Sequence, residues 1–175
     1  MKAESIVGEM PSGNGFLLSN ESGNDFTFSG KFSILDGTAA SLVFRAASDM
    51  SSYLVANYDS NERIVKLWST HGELARSETM NVSSENIVLS VKANEKDVQV
   101  TINGNLAINY TLNDNEPLSG RFGLNVFSAK AEFKELSIAK ENYEYSSGEL
   151  EVKLPIDQFI ISVYNITLGN IKLDP

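Results

Sequence analysis

Period-two alternation of apolar and polar residues recurs along most of the chain, and helical periodicity is nearly absent. Side chains two apart on an extended backbone share a face, so each alternating run predicts a strand with one face for a core. Short strands are predicted at Glu4 to Gly8 and Gly15 to Ser19, parted by a loop from Met10 to Asn14. The run Asp25 to Ile34 places Phe26, Phe28, Phe32 and Ile34 on one face, and Asp36-Gly37 predicts a turn after it. From Ala39 to Thr70 three strands follow in quick succession, joined by polar turns. Leu42, Phe44, Leu54, Ala56, Val65 and Leu67 form their apolar set. The opposite set is mixed: Ser41, Val43 and Arg45, then Tyr53, Val55, Asn57 and Asp59, then Ile64, Lys66 and Trp68. A core does not require that mixture.

Further strands are predicted at Asn86 to Ala93 and Lys96 to Thr101, with a turn at Asn94-Glu95. Asn103-Gly104, between alternating runs, predicts a type I′ hairpin turn. Arg121 to Phe127 turns Phe122, Leu124 and Val126 inward and leaves Arg121, Gly123, Asn125 and Phe127 outward. Ala131 to Lys140 needs one bulge to keep Phe133 in phase with Leu136 and Ile138. Many short strands with polar turns predict an all-β fold, an antiparallel β-sandwich with jelly-roll connections, over residues 1–140. Residues 141–175 read as a polar linker plus a β-strand tail, too short for a core of its own. It is either a docked extension or the start of a following module.

Charge narrows the partners. Lys and Arg number 14 against 23 Asp and Glu, a formal net charge of −9, which argues against a nucleic-acid partner. No apolar run approaches the roughly 18 residues of a membrane span, so no membrane partner is expected. The first residues, MKAESIVGEMPSG, lack the apolar stretch of a signal peptide. Cysteine is absent, which removes disulfides, thiolate nucleophiles and Cys-type zinc sites. His71, the one histidine, falls in the polar turn Ser69-Thr70-His71-Gly72 and reads as a solvated surface residue.

Hydrolysis of a glycosidic bond takes two carboxylates flanking it. The candidates are Glu149 with Glu151 in the tail, and Glu132 with Glu135, whose spacing has the wrong parity for one strand face unless a bulge intervenes. No phosphate-binding glycine loop, nucleophile elbow or metal-ligand spacing is present. Catalysis is not expected. The outward set suits a sugar instead: hydroxyls are recognised by charged and amide groups, and an apolar sugar face by an aromatic ring. Arg45, Asn57, Asp59, Lys66 and Asn125 supply the polar groups, and Trp68, Phe127 and Tyr53 the rings. An alternative fits parity equally well, with Arg45 and Asp59 as a surface ion pair and Trp68 covering the core edge.

Gly13-Asn14-Gly15-Phe16, Asp25-Phe26-Thr27-Phe28, Leu42-Val43-Phe44-Arg45, Tyr53 to Asn57, Val65-Lys66-Leu67-Trp68 and Gly120 to Phe127 occur in that order. As a series they resemble the fructan-binding module attached to bacterial levanases, carbohydrate-binding module family 66, over about residues 5–139. The resemblance implies a concanavalin-like sandwich that is not catalytic. It also implies a pocket for the terminal fructose of levan-type chains, and a covalently attached glycoside hydrolase. Carried over by position, Arg45, Asn57, Asp59, Lys66, Trp68, Asn125 and Phe127 lie at or beside that pocket. Two positions depart: Asn14 stands in the family's acidic place, and Phe127 where the pattern has Trp. The expected partner is a fructan or another polysaccharide, bound by a monomer at the bacterial cell surface or after secretion. No cofactor is expected. The other readings are a glycosidase or lyase of the same architecture, and an adhesion module with structural Ca²⁺ near Asp36, Asp49 and Asp114.

Overall fold

A computed structural model describes residues 5–141, 149–153, 159–161 and 172–174. Its strands are β1 (Ser5–Gly23), β2 (Phe26–Ala46), β3 (Leu54–Asp59), β4 (Ile64–Ser69), β5 (Gly72–Arg76) and β6 (Ile87–Asn94). They continue with β7 (Asp97–Ile102), β8 (Asn105–Thr111), β9 (Gly120–Glu141), β10 (Glu149–Lys153), β11 (Phe159–Ile161) and β12 (Lys172–Asp174). All pairings are antiparallel.

Three long strands organise the fold. β1, β9 and β2 pair along most of their lengths, and each serves two leaves. From residue 39 onward, β2 carries β3, β4 and β5 in one leaf; up to residue 32 it carries β6, β7 and β8 in the other. The inward faces of the leaves meet in one core that joins Phe28, Val91 and Val100 to Leu42, Leu54 and Val65. Phe26, Phe28 and Phe122 interlock edge to face inside it, at centroid distances of 4.6 and 5.2 Å from Phe122. Strands β11 and β12 pair with β1, and β10 pairs with β9.

The predicted breaks at Met10–Asn14 and Asp36-Gly37 are not loop ends. They are register shifts inside β1 and β2, where the long strands bend from one leaf into the other. Glycine and polar residues mark the bend as they would mark a turn, but flanking strands keep the backbone hydrogen-bonded through it. The bulge expected beside Phe133 is present, with Glu135 at φ 49° and a register shift opposite Ser29–Lys31. Phe133, Leu136 and Ile138 are all buried. Asn103 and Gly104 take φ 48° and 80°, the left-handed pair of a type I′ turn. Strand β5 carries no strand signal, because Gly72-Glu73-Leu74-Ala75-Arg76 is rich in helix formers; pairing with β4 overrides local preference.

Candidate functional site

The outer face of the leaf containing β3 and β4 is a grid of cross-strand neighbours. One row runs Phe16, Asn125, Ser41, Asn57, Lys66, Arg76 across β1, β9, β2, β3, β4 and β5. A second, two residues away along each strand, runs Asn14, Phe127, Ala39, Asp59, Ile64. The third runs Leu18, Gly123, Val43, Val55, Trp68, Glu73. These residues point away from the main core, yet many are hidden: Asn57 is 8% exposed, Lys66 7% and Asn125 3%.

They are hidden because the face is a trough. A cleft of about 220 Å³ is lined by Asn14, Phe16, Ala39, Tyr53, Val55, Asn57, Asp59, Lys66, Trp68, Ser69, Asn125 and Phe127. Small Ala39 leaves the room, while aromatic rings form the walls. Phe16 and Tyr53 meet at 5.3 Å between centroids, and a small apolar cluster of Leu18, Val43 and Val55 underlies that side. The Phe127 ring is 41% exposed at the rim.

The charges in the trough are balanced internally. Asp59 Oδ1 accepts the backbone N–H groups of Asn61 and Glu62 at 2.9 and 3.0 Å, which closes the β3–β4 turn. Lys66 Nζ donates to Asp59 Oδ2 at 3.1 Å and to Glu62 Oε1 at 2.7 Å. Burial alone would lower the Lys66 pKa, but the hydrogen bonds and charges of Glu62 and Asp59 outweigh it, and the ammonium sits above its ordinary value. Arg76 is held by Glu73 through Nε at 2.5 Å and Nη2 at 2.8 Å.

Several polar atoms of the cleft have no protein partner among the described residues: Asn57 Oδ1, Asn14 Nδ2, Trp68 Nε1 and Tyr53 Oη. Each of these residues has its described hydrogen bonds, if any, through another atom. The third ammonium proton of Lys66 is likewise uncommitted. Donors and acceptors interleaved with rings can meet hydroxyls and the C–H face of a ring together.

The structure brings Asn57, Asp59, Lys66, Trp68, Asn125 and Phe127 to this cleft and does not bring Arg45 there. A bulge at the end of β2 sets Ala46, not Arg45, opposite Arg121, and Arg45 takes φ 51°. The parity that would send its side chain outward ends at that bulge. Arg45 is instead fully buried, donating to the Asn24 carbonyl from Nε at 3.1 Å and Nη2 at 2.6 Å. Asp25 Oδ1 lies 3.8 Å from Nη2, and the guanidinium carbon sits 5.9 Å from the Phe26 centroid. Nor does Arg45 pair with Asp59, whose ion-pair partner is Lys66.

The carboxylate candidates lie elsewhere too. Glu132 pairs with Lys134 at 3.2 Å and Glu135 with Lys31 at 3.0 Å, neither on the cleft; the side chains of Glu149 and Glu151 lie outside the described residues. His71 is largely exposed, with Nδ1 3.2 Å from Oε1 of the buried Glu116, which also accepts the Ser69 hydroxyl at 3.1 Å. No three His, Cys, Asp or Glu side chains gather as a metal group among the described residues. Asp49 bonds the Ser51 amide, and Asp114 pairs with Lys96. Asn14, Phe16 and Ser69 are cleft residues absent from the sequence-derived set. Phe16 and Asn14 belonged to the Gly-Asn-Gly-Phe motif, so a signal existed; nothing local marks Ser69.

A sequence model of the 3-keto-alpha-glucoside-1,2-lyase-like domain matches residues 1–139. The chain belongs to that family. It is 29% identical over 149 residues to the levanase of Bacillus subtilis (strain 168), covering 80% of this chain and 21% of the levanase. The chain thus spans about a fifth of that relative's length. The carbohydrate-binding module CBM66 from Bacillus subtilis superposes with a TM-score of 0.69 at 28% identity, over 75% of this chain and 84% of that one. A Bacillus licheniformis β-glucanase, at 6% identity and a TM-score of 0.57 over 74% and 78% of the two chains, shares the fold alone. The similarity to the levanase-type module that the motif series carries is therefore present along the whole sandwich, and the jelly-roll architecture is that of its structural relatives.

Proposed function

We propose that this chain is a non-catalytic carbohydrate-binding domain that takes the end of a fructan chain of levan type in the cleft and holds an attached, exported glycoside hydrolase on its polymer. The observation that carries this reading is the trough itself. Uncommitted amide, indole, phenol and ammonium groups converge between aromatic walls, while the charges beside them are already compensated. A neutral polyol gains hydrogen bonds there without the desolvation cost of a bare ion. Similarity to the levanase and to CBM66 supports the fructan as ligand. Asn57, Asp59 and Lys66 would meet hydroxyls, with Trp68 and Phe127 against the sugar's apolar face. Residues 1–140 hold every cleft residue, and strands in the tail pair with β1 and β9, which supports 141–175 as a docked extension of one monomeric domain.

The lyase reading needs a free general base at the ligand. Among the described lining residues Asp59 is the carboxylate, and both its oxygens already accept hydrogen bonds; Lys66 is held protonated. That supports binding without turnover.

Trp68 is the chain's one tryptophan and lines the cleft, so its fluorescence reports occupancy directly. Titration with levan, inulin and β-glucan fragments should shift it for levan, with affinities from about micromolar to millimolar, since a small polar ligand buries little area. Trp68→Ala should weaken retention on levan about tenfold or more, the loss of one good stacking contact. Release of reducing ends during the same incubations, or unaltered fluorescence at saturating levan, would overturn the proposal.

A further inference from the structure

The polarity of the cleft is decided beneath it. The two N–H groups of Asn125 Nδ2 are shared among three acceptors, the Gly15 carbonyl at 3.0 Å, the Val126 carbonyl at 3.3 Å and Asn14 Oδ1 at 3.1 Å, so one N–H is bifurcated. Backbone carbonyls only accept, so the Asn125 amide has a single allowed orientation, with Oδ1 at its opposite end. That oxygen, buried, needs a donor, and Ser41 Oγ supplies one at 3.0 Å. With its proton used, the Ser41 oxygen can only accept from Asn57, which therefore turns Nδ2 toward it at 3.2 Å. Asn57 Oδ1 is left for the cleft. At the other end Asn14 must offer Oδ1 to Asn125, which leaves Asn14 Nδ2 for the cleft.

We propose that Ser41 and Asn125 are positioning residues, a relay that passes the polarity of two backbone carbonyls to the cleft so that a ligand meets an acceptor at Asn57 and a donor at Asn14. The relay rests on the carbohydrate reading above for its ligand: a neutral polyol with a hydroxyl proton directed at Asn57 and an oxygen at Asn14. It moves Asn125 from contact to support. Ser41 is fully buried and Asn125 is 3% exposed, so neither can do much by touch. A bond chain of this kind is also cooperative, each donor polarising the next. Without it the Asn57 amide is free to flip, and half its orientations present the wrong atom.

The test uses the whole chain and levan oligosaccharides as the probe. Ser41→Ala should bind them about tenfold more weakly, one lost or misdirected hydrogen bond, and Ser41→Thr, which keeps the hydroxyl, should recover most of that loss. Asn14→Asp at the exposed end keeps the acceptor for Asn125 but removes the donor, and should weaken binding without lowering the melting temperature; it serves if Ser41→Ala does not fold. In the free wild-type protein the Asn125 side-chain amide protons should exchange far more slowly than those of an exposed asparagine. Wild-type affinity in Ser41→Ala or in Asn14→Asp, or fast exchange at Asn125, overturns the relay. If the wild type binds no levan oligosaccharide, the proposed function fails, and amide exchange alone decides the relay.

Discussion

Arg45 shows how one backbone angle reassigns a side chain. Burial pulls its pKa below the ordinary arginine value, with the Asp25 charge opposing; Nε and Nη2 bond the Asn24 carbonyl, while the buried Nη1 has no hydrogen-bond partner among the described residues. A buried guanidinium held this way ties the β1–β2 turn to the end of β2. Removing it leaves Asp25, itself only 8% exposed, beside a void. Arg45→Ala should therefore cost about 3 kcal/mol of stability and lower the melting temperature by roughly 10 °C. Any ligand affinity of the folded fraction should be unchanged. Urea unfolding with a parallel titration checks both, and a stable mutant that fails to bind would return Arg45 to the cleft. Asn57, Lys66 and Trp68 were readable as outward because no bulge interrupts β3 or β4 between them. Arg45 was not, because the bulge depends on pairing with β9.

At the level of elements, the bends of β1, β2 and β9 give the molecule its two leaves and the cleft its curvature. The bulge of β2 needs close approach by the start of β9. Gly120, at φ 148°, has no room for a side chain: a Cβ there would lie 2.4 Å from the Arg45 carbonyl carbon and 2.7 Å from the Ala46 nitrogen. Gly120→Ala should cost at least about 2 kcal/mol through backbone displacement. Gly104, at φ 80° with nothing near its would-be Cβ, needs only the left-handed conformation, so Gly104→Ala should cost about 1 kcal/mol. Comparing the two urea midpoints tests whether crowding, rather than dihedral preference, governs the Gly120 site. The hairpin turn was legible from Asn103-Gly104 because its requirement is local. The bends looked like loop ends because their local residues are the same; only the neighbouring strands distinguish the cases.

Across the whole molecule, charge sets a window of stability. The Arg76 hydrogen bond holds the Glu73 carboxyl below its usual pKa, Lys96 does the same for Asp114, and the Ser51 hydroxyl and amide for Asp49. A depressed carboxyl stabilises the fold above its unfolded pKa of about 4, and that contribution fades as pH falls through the lower folded value. Lys66, raised by Glu62 and Asp59 against burial, acts in the other direction. Its contribution is complete below its unfolded pKa, about 10, and fades as pH rises through the folded value. Stability should stay level between roughly pH 5 and 10 and fall on both sides. Urea midpoints across pH 2.5 to 11 (a range on the order of eight units) check this, and Glu73→Gln should flatten part of the acid limb. An acid limb identical in that variant would show that the Glu73–Arg76 pair does not contribute to it.

Alternation determined most of the strand segments, though not β5 or the continuity of β1 and β2, together with the antiparallel sandwich and the parity that puts Asn57, Asp59, Lys66 and Trp68 on one face, since side-chain direction on a strand follows from position alone. Motif order along the chain carried the similarity to the levanase-type module. Tertiary structure alone decided that this outward face is a hidden trough, that Lys66 is neutralised by Asp59 and Glu62, and that Arg45 belongs to a turn. Those outcomes depend on which strands lie beside which and where a bulge shifts the register. Asn14 and Asn57 are 43 positions apart in the chain, and what each amide shows the cleft is settled by Asn125, far from both in sequence.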